Sequence, residues 1–196
     1  MSNIRTGIFG GSFDPIHNGH ISLARQLLDM CGLDEIWFVV SPLNPFKVNL
    51  DLLNDEARIE MVRAALENEP QMTASDFEFN MPKPSYTWDT LRSMSLSYPE
   101  REFTLLIGGD NWTSFQRWFA HEEIVSHYAI AIYPRHNFDI DISSLPSNVT
   151  LVNTELIDIS STEIRRLIAT GQSITGLVPP VVERMIAENH YYSNAK

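Results

Sequence analysis

The sequence has one cysteine, Cys31, in 196 residues. That excludes an internal disulfide, leaves too few thiolates for a structural zinc cluster, and suits a reducing compartment. No apolar run approaches the ~20 residues of a membrane span, and Gly10, Gly11 and Asp14 arrive before a secretory leader could form. A cytoplasmic chain without a membrane partner is expected. Basic residues are scarce, 14 against 25 acidic ones, for a net charge of −11. So acidic a chain repels a nucleic-acid backbone at long range, so no nucleic-acid partner is expected. Low-complexity tracts, internal repeats and linkers are missing as well. What remains is 43% apolar and 20% charged, a globular composition with enough apolar mass for a core. Its length suits one domain over residues 1–196.

Strand-like and helix-like segments alternate along the chain. Ile4 to Phe9 is a short apolar run ended by Gly10-Gly11, after which Ile21, Ala24, Leu27, Leu28 and Cys31 recur at helical spacing. Ile36 to Val40 reads as a buried parallel strand stopped by Ser41-Pro42. Asn54 stands as an N-cap before Asp55-Glu56, with Ile59, Val62, Ala65 and Leu66 on one helix face. Met72 to Met81 predicts a strand leading into a loop, Tyr86 to Met94 a helix, and Phe103 to Ile107 a strand ending in Gly108-Gly109-Asp110. Ile124 to Tyr128, Ala129 to Tyr133 and Val149 to Ile159 continue the alternation, while Asn137 to Asn148 predicts a mobile loop. The alternation specifies an α/β class: a doubly wound parallel sheet with helices on both faces and ligands beyond the carboxyl ends of the strands.

Two segments carry the chemistry. Gly10 to His20, GGSFDPIHNGH, joins the first strand to its helix. The glycines allow backbone N–H groups close approach, the helix start near Asn18 presents its positive dipole end, and His17 and His20 share a helical face. Gly19 between them leaves a bare surface for a ring or ribose. Incidental surface histidines beside a simple turn are the plainer alternative. A metal site is a weaker one, because no further Cys/His cluster accompanies the pair, and a dinucleotide fingerprint fails on glycine spacing. Ile159 to Arg166, ISSTEIRR, is a second helix start, with Ser160 and Glu163 in a capping-box pattern. Besides a well-capped helix, the hydroxyls of Ser161 and Thr162 and the cation of Arg165 suit a polyphosphate. Two anion sites on one sheet suggest one long anion.

Together the Gly10–His20 and ISST-x-I-R segments resemble the nucleotidylyltransferase superfamily with its H-x-G-H signature, and within it the bacterial nicotinate-nucleotide adenylyltransferase family. Pro84-Ser85-Tyr86-Thr87 with Asp89-Thr90-Leu91 is similar to that family's P-S-Y-T-x-D-T-L stretch, Gly108-Gly109-Asp110 to its G-x-D turn, and Trp118 to its downstream tryptophan. Order and spacing agree through Val178 to Tyr191 in a C-terminal helix. Ser12 stands where the family commonly has Thr, and Phe46 where a His often precedes the lysine matching Lys47. A Rossmann-like nucleotidylyltransferase fold is implied, and with it transfer of the adenylyl group of ATP to nicotinate mononucleotide, usually with Mg²⁺ and with no dedicated protein metal ligands. The resemblance assigns His17, His20, Lys47 and Arg165 to charge stabilisation. Gly10, Ser12, Phe13, Gly19, Gly108, Asp110, Ser161 and Thr162 would join the histidines and Arg165 around ATP. Gly11, Ser12, Lys47, Ser85, Tyr86, Thr87 and Trp118 would hold the mononucleotide, with Arg135 and Arg166 as secondary candidates.

Overall fold

The computed structural model describes residues 3–42, 52–136 and 138–193. Six parallel strands form one sheet in the order β3-β2-β1-β4-β5-β6. They are β1 (Ile4–Gly11), β2 (Glu35–Val40), β3 (Met72–Ser75), β4 (Arg101–Gly108), β5 (Ala129–Tyr133) and β6 (Val149–Leu151). Because successive strand side chains point to opposite faces, Phe9, Phe38, Leu106 and Ala131 enter one core while Ile8, Val39, Leu105 and Ile130 enter the other. Onto the first face pack α1 (Asn18–Cys31), α2 (Asp55–Leu66), α6 (Ser161–Ala169) and α7 (Pro180–Glu188), through residues such as Leu27, Val62, Ile164 and Val182. The second is covered by α3 (Thr87–Ser97), the short α4 (Gly109–Thr113) and α5 (His121–His127), through Leu91, Met94, Trp112 and Ile124. Each fully buried aliphatic or aromatic side chain contributes about 1.5–3 kcal/mol. The expected doubly wound sheet is therefore present, and its strand order reverses between β1 and β4, where such sheets bind ligands.

Several boundaries differ from the sequence expectation. The strand expected over Met72 to Met81 ends at Ser75, because this edge strand pairs only with Ile36–Val39 of β2 and then turns into a 3₁₀ helix at Phe77–Asn80. Only Val149–Leu151 of the Val149 to Ile159 segment is strand, since β6 has β5 alone as neighbour and the chain then leaves the sheet. Ile124 to Tyr128 belongs to α5 and its C-cap. Within the expected mobile loop, the Asn148 amide donates to the carbonyls of Val125 and Tyr128 at 2.6 and 2.8 Å, and Ile140 and Leu145 pack on the second core. The Asn54 cap is observed, its Oδ1 accepting the Ala57 N–H at 2.7 Å.

Candidate active site

Beyond the carboxyl edge of the sheet the turn after β1 is built around a buried ring. Phe13 has a left-handed φ of 44°, and its ring packs with Phe9 and Phe38 in the core. A Cβ on Gly11 would stand 2.9 Å from that ring, so only glycine fits there. Nothing lies within 4 Å of a Cβ on Gly10, which faces open space. From beneath, the fully buried Arg58 of α2 holds the turn: its guanidinium donates to the carbonyls of Ser12 (2.6 Å), Ser41 (3.0 Å) and Leu53 (2.9 Å) and to Asp55 (2.5 Å).

His17 is the N-cap of α1 and not its first helical residue, so the two histidines do not share a helical face as expected. They converge by stacking, with ring centroids 3.6 Å apart, and the His17 N–H donates to His20 Nδ1 at 3.3 Å. His17 is 5% exposed, and its Nδ1 has no hydrogen-bond partner among the described residues. Burial, and secondly the nearby Arg135 cation, hold this imidazole down to about 3. At pH 7 the ring is therefore neutral, because burial disfavours its charged form, and it offers a hydrogen-bonding imidazole. His20 packs edge-on against Phe13 at 5.0 Å.

The start of α6 holds the second candidate anion-binding segment. Ser160 caps it, accepting the Glu163 N–H at 3.2 Å, but the reciprocal half of the capping box is missing because Glu163 pairs with Arg166 instead. Ser161 spends its hydroxyl proton on the Pro15 carbonyl (2.9 Å), while Thr162 Oγ1 accepts from Arg165 at 3.4 Å and keeps its own proton to donate. Arg165 donates to the Asp14 carbonyl at 2.6 Å. Arg166, a secondary candidate, is committed to Glu163 at the surface. In the turn after β4 the Asp110 carboxylate folds back over Gly108, its Oδ1 2.3 Å from where a Cβ would stand. Asp110 in turn faces Arg135 at 3.9 Å.

Three cavities meet along this edge. The first, about 880 Å³, is lined by Ser85, Tyr86, Thr87, Trp118 and Phe119 with Gly10 and Gly11. Next to it, Gly10 to Phe13, both histidines, Asp110, Ser161, Thr162 and Arg165 line an open cavity of about 1120 Å³. The third, about 400 Å³, lies over Gly19 between the histidines and Ile157, beside Arg135. Gly10, Gly11, Asn111 and Tyr133 are common to the first two, and His17, His20, Tyr133, Arg135 and Ile159 to the last two. Lys47 lies outside the described residues, and Gly108 and Arg166 line none of the three cavities; the other expected residues gather along this edge.

Sequence reasoning missed Arg58, Glu78, Asn111 and Tyr133. Glu78 is buried below the first cavity, accepting from Ser85 Oγ (2.7 Å) and Thr90 Oγ1 (2.8 Å). Both hydroxyl protons are thereby spent. α3 has no side-chain cap, which leaves the backbone N–H groups at Thr87 as the donors its start offers to that cavity. For Arg58 a signal existed, since it shares a helix face with Met61 and Val62.

Comparison with known proteins places the chain in a family. The family described as Cytidylyltransferase-like matches residues 8–167. A protein of Bacteroides fragilis named "Probable nicotinate-nucleotide adenylyltransferase" is 50% identical over 96% of this chain and 94% of its own length. Its namesake in Cytophaga hutchinsonii is 46% identical over 97% and 100%. Among solved structures, the Plasmodium falciparum nicotinic acid mononucleotide adenylyltransferase complexed with NaAD superposes with a TM-score of 0.79 at 24% identity, covering 96% of this chain and 97% of that one, which shows a common fold. The chain belongs to the cytidylyltransferase-like family and, within it, to the nicotinate-nucleotide adenylyltransferases.

Proposed function

We propose that this chain transfers the adenylyl group of ATP to nicotinate mononucleotide in the cytoplasm, forming nicotinate adenine dinucleotide and pyrophosphate. The observation that carries the reading is the continuity of the three cavities past Gly10, Gly11 and the stacked histidines. A pyridine nucleotide, a polyphosphate and an adenosine fit such a row in that order. Nicotinate mononucleotide occupies the Trp118 cavity with its carboxylate on the uncapped start of α3, where N–H donors and helix dipole favour full negative charge. Adenosine lies over Gly19, and Thr162, Arg165 and the start of α6 hold the β- and γ-phosphates.

In the reaction an oxygen of the mononucleotide phosphate attacks the α-phosphorus of ATP. A new P–O–P bond forms, the bond to the β-phosphate oxygen breaks, and pyrophosphate leaves with those electrons. No side chain need act as nucleophile, because positioning and charge stabilisation supply the catalysis. His17 contributes as a neutral hydrogen-bonding ring, and His20 beside it donates to the oxygens on phosphorus. Mg²⁺ would arrive on ATP as part of the substrate and neutralise phosphate charge. Of the carboxylates near the phosphate cavity, Asp110 is open to it whereas Asp14 is turned inward, and no three metal-ligating side chains cluster among the described residues. Phosphate oxygens and water would then supply most of the ion's ligands.

A pyrophosphate-release assay with ATP, Mg²⁺ and a panel of acceptors tests the reading. Nicotinate mononucleotide should turn over well, with nicotinamide mononucleotide lower in kcat/KM by more than about tenfold, since the amide loses the charge-assisted bonds. Phosphopantetheine should be inert. Equal use of the two mononucleotides would remove the carboxylate from recognition, and turnover with none of the panel would overturn the function.

A further inference from the structure

The last turn of the chain reaches back to the glycine turn. After α7, His190 and Tyr192 both take left-handed φ, 54° and 61°. Such conformations are costly for non-glycine residues and persist where the surrounding fold imposes them. Their effect is to deliver the Tyr192 hydroxyl to Asp14 Oδ1, where it donates at 2.7 Å across 178 positions of sequence. Burial and the adjacent carboxylate push that hydroxyl far above its ordinary range, so it stays a donor.

Asp14 is 1% exposed and lies between Tyr192 and Arg165. Its Oδ1 also accepts the Leu53 N–H at 3.3 Å. Its Oδ2 has no hydrogen bond among the described residues and forms a long ion pair with Arg165 Nη1 at 3.8 Å, short of hydrogen-bond contact. That guanidinium is held on the Asp14 carbonyl and lines the phosphate cavity. A buried carboxylate that lost the tyrosine hydroxyl would keep the single Leu53 N–H and draw in the nearest side-chain donor, which is Arg165.

We propose that Tyr192 is a positioning residue for ATP: by engaging Asp14 Oδ1 it keeps the carboxylate from tightening its long ion pair with Arg165 into hydrogen-bond contact, and so leaves the outward N–H groups of that guanidinium to the triphosphate. The inference rests on the assignment of Arg165 to ATP under the proposed function. Neither α6 nor the glycine turn reveals this dependence, because the group responsible lies beyond the last helix.

Titration of Mg·ATP and of nicotinate mononucleotide separately, with melting temperatures, tests it. Tyr192→Phe should weaken Mg·ATP about tenfold, the size of one charge-assisted hydrogen bond, and leave the mononucleotide unchanged. Tyr191→Phe, whose hydroxyl has no hydrogen bond among the described residues, is the matched control and should change neither. Adding Asp14→Asn to Tyr192→Phe removes the charge that would close on Arg165. That double variant should recover most of the ATP affinity, and because it buries no unpaired charge it also serves should the single variant fail to fold. Arg165→Ala should weaken Mg·ATP. If it does not, the Arg165 assignment falls and the inference with it. If Arg165→Ala weakens Mg·ATP but Tyr192→Phe does not, the inference alone is overturned. The same holds if Tyr192→Phe weakens both ligands alike, or if Asp14→Asn restores nothing.

Discussion

With its folded-state proton affinity near pH 3, His17 links the stability of the whole chain to pH. An unfolded histidine binds its proton near pH 6.5, so between about pH 6 and 3 the unfolded state holds one proton that the folded state lacks, and stability falls as the pH falls. Wild type should lose up to ~1.4 kcal/mol per pH unit more than His17→Gln across that window. Urea unfolding at stepped pH measures it, and equal slopes would mean that His17 is not a buried neutral ring. His20 is a different case. Its ring packs against Phe9, Phe13 and His17, so His20→Ala should cost about 1–2 kcal/mol of stability and yet leave a folded protein. Turnover should fall ~10²–10³-fold if the ring donates to transition-state charge. Near-normal kcat in the folded variant would take it out of the mechanism. The glycine turn and the ISST helix start were legible in sequence because each serves a local backbone requirement. The burial of Arg58 was readable from its helix face, but its partners were not, nor were the roles of Glu78 and Tyr192: Arg58 on Ser12 and Tyr192 on Asp14 are pairings that no periodicity records.

Among the elements, α2 illustrates how a helix that lines little of the site still governs it. Its Arg58 satisfies three carbonyls at once, two of them in the turns after β1 and β2. Arg58→Leu leaves those carbonyls and Asp55 without their donor, and should destabilise the chain by about 3–5 kcal/mol. A lower urea midpoint at unchanged slope is the expected result, and a loss under about 1 kcal/mol would show that water replaces the guanidinium. Element identity was readable from hydrophobic spacing, as in α1 and β2. Element ends were less so, because β3 and β6 stop where their single neighbour stops pairing, and that limit is set by the sheet. Leaving β3 early has a consequence for the site, since it frees Glu78 to collect Ser85 and Thr90 beneath the mononucleotide cavity.

On the scale of the molecule, strand order places the turns after β1 and β4 side by side, and the cavity between them follows from that reversal. For a chain of net charge −11 the proposed binding of two anions relies on Arg135 and Arg165, which line the phosphate cavity beside one carboxylate, Asp110. If the cavities hold both substrates at once, the mononucleotide phosphate reaches the α-phosphorus directly, from the side opposite the departing pyrophosphate. The stereochemical course at that phosphorus tests this most directly. With ATP carrying a single diastereomeric sulfur substitution on the α-phosphate, one in-line displacement inverts the configuration, and phosphorus NMR of the dinucleotide product should show inversion alone. Retention would require an even number of displacements, hence a covalent adenylyl-enzyme formed on a side chain such as His17 or His20, and would contradict direct transfer across the glycine turn.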